Sequence, residues 1–133
     1  MNVAVAQFEP KDGDKNYNLS IIKKLTEKAK SNGADLISFH EMCITAYTFT
    51  KDLSLEQITD LAENVPNGKS TQKLIEISRE FDIPILAGLV IINPYRYCVR
   101  FMILTNYVFI QFWSSSVFVS PSSRKLNFFF SNF

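Results

Sequence analysis

With 133 residues, and 14 Lys and Arg against 13 Asp and Glu, the chain has room for one domain with a real core. It carries no bulk charge that would draw it to nucleic acid or an anionic surface. Its two cysteines, Cys43 and Cys98, lie far apart without metal-type spacing, which argues against a disulfide scaffold or a zinc module and for a reducing compartment. The opening MNVAVAQF lacks the basic region and small-residue cleavage site of a secretory leader, so a cytoplasmic location is expected.

In chain order, Asn2 to Phe8 is short, apolar and β-branched, the pattern of a fully buried strand. EPKDGDKN follows as a loop marked by Pro10 and Gly13. NLSIIKKLTEKAKSNG then places Leu19, Ile22, Leu25 and Ala29 on one helical stripe with lysines on the other faces. Asn16 or Asn18 is the expected cap at its start, and Asn32-Gly33 the left-handed stop at its end. DLISF, Asp35 to Phe39, reads as a second strand that runs straight into His40 and Glu41. Ser54 and Gln57 form a capping box for a helix through LEQITDLAEN, which Pro66, Asn67 and Gly68 break. Ser70 or Thr71 opens a third helix with Leu74, Ile77, Ser78 and Phe81 on one side. Asp82 ends it, and IPILAGLVI reads as a third buried strand. The order β-α-β-α-α-β with near-continuous apolar strands predicts a layered α/β fold, a sheet covered by helices.

Near Asn93 the composition changes. Every Asp and Glu lies at or before Asp82, and from Ile83 onward the only charges are Arg96, Arg100, Arg124 and Lys125. That same stretch holds eight of the twelve Phe, so residues 1–92 and 93–133 are read as two differently composed parts. Phe101 to Val119 is uncharged and reaches the minimum length of a membrane span. Thr105, Asn106, Gln111 and Ser114 to Ser116 dilute its hydrophobicity, and its aromatics are not banded at the ends, so a membrane role is disfavoured. The Phe/Ser/Asn/Tyr richness and the FFFSNF terminus favour translation past an unspliced or shifted reading frame, with a further strand region as the third reading.

Three stretches, VAVAQFEPKDGDKNYNL, GADLISFHEMCITAY and KLIEISREFDIPILAGLVI, together resemble the opening of the carbon–nitrogen hydrolases, the nitrilase superfamily. The resemblance covers roughly Asn2 to Ile92. It rests on an ordered set: a first strand ending in Gln, a Gly-Asp near a helix start, a strand running into Glu, and a Gly-Leu closing a later strand. It implies the N-terminal part of a nitrilase-like α-β-β-α sandwich. It also implies that Glu41 is the first member of a Glu-Lys-Cys triad, with small amides or nitriles as substrates and no cofactor or metal. In that family the glutamate takes the proton of a cysteine thiol, the thiolate attacks the amide or nitrile carbon, and the lysine stabilises the charge that develops. The end of a parallel strand is where open α/β sheets bind ligands, so the placement is chemically sensible. Taken without the resemblance, Glu41 reads equally as a loop carboxylate, solvated or paired with Lys51.

The sequence departs from the family pattern beside that glutamate. His40 stands where a proline is usual, and Ala46 where a glycine is common before the Tyr. A lone imidazole in this position reads as a packing or hydrogen-bonding residue. The family's lysine and nucleophilic cysteine segments are not found. PYRYCVR around Cys98 matches neither motif, Arg124-Lys125 lacks the right context, and Cys43 reads as a buried inert thiol. Losing the nucleophile of a triad costs on the order of a millionfold in turnover, so this chain by itself is expected to be inactive. The alternatives are a non-catalytic α/β interaction module or relic that associates with a full-length homologue, and a flavodoxin-like module. The latter lacks a Gly-rich phosphate cradle after the first strand.

Overall fold

The computed structural model describes the backbone of residues 1–93, 96–104, 109–118 and 127–128, and the side chains of residues 1–91. The expected order is present: β1 (Val3–Ala6), α1 (Lys15–Ser31), β2 (Leu36–Phe39), α2 (Leu55–Leu61), α3 (Lys69–Phe81) and β3 (Ile85–Asn93). A short 3-10 turn, Thr48–Asp52, precedes α2. The chain continues as β4 (Arg96–Leu104), β5 (Phe109–Phe118) and β6 (Asn127–Phe128), and the strands line up in the order β1-β2-β3-β4-β5-β6. β1, β2 and β3 run parallel, with Val3 opposite Leu36 and Ile37 opposite Ile85. β4 and β5 then add antiparallel. The acid-free segment thus carries strand backbone over much of its length. Among the described residues no helix is long and apolar enough to cross a membrane.

Local chemistry accounts for the helix ends. The Asp14 side chain accepts the Tyr17 N–H at 2.9 Å and caps α1. This corrects the expected Asn16 or Asn18: Asp14 alone precedes the first helical residue with its carboxylate in reach of that N–H. Gly33 takes the left-handed conformation (φ 77°) just past the Asn32 cap, as expected from Asn32-Gly33. The Ser54–Gln57 capping box is complete, with Ser54 Oγ accepting the Gln57 N–H and Gln57 Oε1 accepting the Ser54 N–H. α3 begins at Lys69 after Gly68, one residue ahead of the expected Ser70, and the Glu63 carboxylate accepts the Ser70 N–H at 2.8 Å.

The core lies on one face of the sheet. Ile37 and Phe39 of β2 and Ile85, Ala87, Leu89 and Ile91 of β3 project at period two onto Leu19, Ile22 and Ala29 of α1 and Leu74 and Ile77 of α3. The expectation of a fully buried first strand does not hold. Val3 and Val5 are 48% and 77% exposed, while Ala4 and Ala6 pack on the core. β1 is an edge strand whose helices cover one face only, and alternate residues must therefore project from the other.

Candidate active site

β1, β2 and β3 finish on the same side of the sheet, and Glu41 stands two residues beyond Phe39, the last residue of β2. Because β2 lies between two parallel neighbours, Glu41 sits on the C-terminal rim where the β1 and β2 loops meet. It is half-buried, and Met42, Cys43, Ile44, Thr45 and Ala46 after it are all buried. A turn of five consecutive buried residues is unusual, since loop backbone must find internal hydrogen bonds once it leaves water. Here the Thr45 and Ala46 N–H groups donate to the Met42 carbonyl at 3.2 and 2.8 Å, and the Gly13 N–H donates to the Thr45 carbonyl at 2.9 Å.

His40 behaves as the sequence suggests. Its ring packs edge-on against Phe8 with centroids 5.2 Å apart, and Nδ1 lies 3.0 Å from the Glu41 carbonyl oxygen. Tyr47 lies in the electrostatic field of Glu41: burial raises its phenol above the ordinary value, and the Glu41 charge raises it further. A carboxylate and a phenol are thus neighbours on the rim.

Cys43 is fully buried, with its thiol 3.7 Å from the Gly88 carbonyl oxygen, and burial pushes its pKa up to about 12. A thiol so placed carries almost no thiolate near neutrality. In native protein at pH 7.5, Cys43 is expected to alkylate with iodoacetamide at least about a thousandfold more slowly than a free cysteine. Mass mapping of the Cys43 peptide before and after unfolding measures this, and fast native labelling would contradict it.

One sizeable groove lies away from Glu41. A cavity of about 930 Å³ opens between the N-terminal ends of α1 and α3, lined by Lys15, Lys23, Glu63, Lys69, Ser70 and Lys73 among others, but not by Glu41. At its floor Lys15 Nζ contacts the Glu63 carboxylate at 2.7 Å, with side chains 22% and 12% exposed. The Ser70 hydroxyl donates to the same carboxylate at 2.7 Å. Partial burial by itself would push the Glu63 carboxyl up. The hydrogen bonds from Lys15 and Ser70 and the Lys15 charge outweigh it and hold the carboxyl below its ordinary value. Among the described residues, no cluster of three His, Cys, Asp or Glu side chains is placed to hold a metal ion.

Two residues that organise the rim were not singled out from the sequence as doing so. Glu63 ties α1, α3 and β3 together, its own N–H donating to the Val90 carbonyl at 3.2 Å. Asn18, offered only as a helix cap, is instead a buried bridge between two loops. The available signal for Asn18 was an amide one step from Leu19 and four from Ile22, on the apolar side of an amphipathic helix where a hydrocarbon belongs.

Comparison with known proteins gives a consistent answer. The carbon-nitrogen hydrolase family model matches residues 2–126, a range that runs past Ile92 into the acid-free segment. A nitrilase from Pyrococcus abyssi is 31% identical over 90 residues, covering 66% of this chain and 32% of that protein. An amidase from Nesterenkonia sp. shares the fold with a TM-score of 0.69 at 18% identity, over 99% of this chain and 48% of that one. A CN-hydrolase superfamily protein from Xanthomonas campestris, with an arsenic adduct in its active site, gives a TM-score of 0.70 at 16% identity, over 87% and 41%. The chain spans about a third of the nitrilase and less than half of either solved neighbour.

Proposed function

Because this chain belongs to the carbon-nitrogen hydrolase family, we propose that it carries the general-base portion of a Glu-Lys-Cys site for the C–N bonds of small amides or nitriles. In this reading Glu41 is the base, and the 133-residue chain is catalytically silent by itself. The observation that supports the role of Glu41 is its position on the C-terminal rim, on the strand flanked by two parallel neighbours. Its carboxylate would accept the proton of an attacking thiol, and after acyl transfer would pass that proton to the leaving amine and activate water. The nucleophile's role does not fall to Cys43. Cys43, the only cysteine on the rim loop, is sealed under the sheet with a thiol that does not ionise near neutrality.

Ammonia release from short aliphatic amides and nitriles tests the silence. The expected rate is that of buffer, unchanged by Glu41→Gln. Release that Glu41→Gln abolishes, or fast labelling of Cys43 that depends on Glu41, would overturn it. The role of Glu41 is tested by joining residues 1–93 to the C-terminal portion of the Nesterenkonia amidase, which supplies its active-site cysteine. Turnover in that fusion should fall by about 10²–10⁴-fold on Glu41→Gln, the usual contribution of a general base. An undiminished rate would remove the assignment.

A second reading is favoured by the exposure of Val3 and Val5 on the edge strand. An uncovered apolar edge is a ready site for pairing, and association with a full-length homologue would cover it. Co-purification that Val5→Lys abolishes is the expected sign.

A further inference from the structure

We propose that Asn18 is a positioning residue for Glu41, acting through the turn that follows the carboxylate. This inference rests on the reading of Glu41 as the base. The Asn18 side chain is 0% exposed, and its carboxamide is fully used. Oδ1 accepts the Lys11 N–H at 2.8 Å, and Nδ2 donates to the Lys11 carbonyl at 2.9 Å and to the Ile44 carbonyl at 2.9 Å. One side chain in the first turn of α1 therefore ties the loop after β1 to the loop after β2. The Gly13–Thr45 backbone bond is a second tie between the same two loops.

The turn held this way is not one its own residues would choose. Met42, directly after Glu41, has φ 57°, and Ala46 has φ 65°. Left-handed backbone at non-glycine residues persists only where the surroundings impose it. Both side chains are buried, so the turn cannot relax outward without exposing them. The Ile44 carbonyl, midway between these two residues, is where Asn18 pulls on the turn. The direction in which the backbone leaves Glu41, and hence where its carboxylate stands, follows from that anchor. Asparagine is a weak helix former, and a buried amide is costly unless every polar atom is matched. Its presence on the apolar face of α1 is explained by those three bonds and not by packing.

Asn18→Asp keeps the shape and the acceptor but removes both donors, and is the test. The side-chain carboxyl ¹³C resonance of Glu41, assigned by its absence in Glu41→Gln, reports the carboxylate directly. Amide exchange at Thr45 and Ala46 against that at Ile37 reports the turn. Thr26→Val serves as the control. Thr26 is equally buried on α1, its hydroxyl donates to the Ile22 carbonyl at 2.8 Å within the helix, and its loss leaves the bonds of both loops in place. The expected result is a displaced or broadened Glu41 resonance and about a tenfold or greater rise in relative exchange in Asn18→Asp, with neither in Thr26→Val. A lowered melting temperature in Asn18→Asp with an unmoved Glu41 resonance would overturn the proposal. So would an equal displacement in Thr26→Val. Should Asn18→Asp not fold, Asn18→Ser, which leaves room for water at the vacated bonds, is read the same way. Neither readout needs turnover. An unmoved resonance therefore removes the positioning role alone, whereas an amidase fusion indifferent to Glu41→Gln removes the base alone.

Discussion

Replacing Glu63 by alanine is expected to destabilise the fold by about 2 kcal/mol, between the values for an exposed ion pair and for a fully buried one. The cost has three sources. The Lys15 ammonium, 22% exposed in its pair, is left without its counter-charge. The Ser70 N–H and hydroxyl at the start of α3 lose their acceptor, and the N-terminus of that helix loses the negative charge that favours it. Denaturant unfolding at constant slope measures the loss. Adding Lys15→Met to Glu63→Ala should recover part of it, because the stranded ammonium is then gone. Strictly additive losses would mean that the pair does not couple.

The same site sets a pH dependence. The Glu63 carboxyl is held below its ordinary value in the folded chain, so the unfolded chain binds its proton first as pH falls. The stabilisation is therefore fully present above the ordinary Glu value of about 4.3 and is lost as pH drops through the lower folded value. In Glu63→Gln that part of the acid loss should disappear. A wild-type and a Glu63→Gln curve running parallel from pH 6 downward would contradict this.

Leu74→Ala is expected to cost about 2–5 kcal/mol, the range for large-to-small changes in a packed core. Leu74 is 0% exposed on α3, in the one layer of side chains between the helices and the sheet. Leu74 sits in the cluster that α1 and α3 share with the sheet, and the loss falls there. Against a total stability of about 5–15 kcal/mol, such a cavity removes a large fraction. A shift in the unfolding midpoint below the equivalent of about 1 kcal/mol would show that the layer can collapse around the cavity.

Glu63 and Leu74 belong to the scaffold, and the rim depends on it. Glu41 is placed by β2, β2 is held between β1 and β3, and the layer containing Leu74 and Ile77 keeps α3 seated on that sheet. The Lys15–Glu63 pair joins the start of α1 to the start of α3, one turn of helix from Asn18. Loss of either contact should loosen the turn after Glu41 before the whole sheet unfolds.

What the sequence determined by itself was mostly what neighbours a few residues apart set, the Asp14 cap of α1 being a local exception. The stripe of Leu19, Ile22 and Ala29 made α1 amphipathic, and Ser54 and Gln57 closed their capping box three residues apart. Gly33 stopped α1 because glycine alone carries no penalty at φ 77°. The alternation of strand and helix gave the layered α/β class and, with the run into Glu41, the family. Tertiary structure alone decided which partners distant groups would find. Asn18 reads as a helix cap until Ile44, 26 residues on, is folded beneath it. Nothing beside Glu63 in the sequence marks it until Lys15, 48 residues before it, arrives at 2.7 Å. Val5 reads as core until β1 proves to be an edge with one face uncovered. Periodicity records which side of an element is apolar. It does not record whether anything is packed there, because burial and pairing belong to two surfaces and a sequence window holds only one.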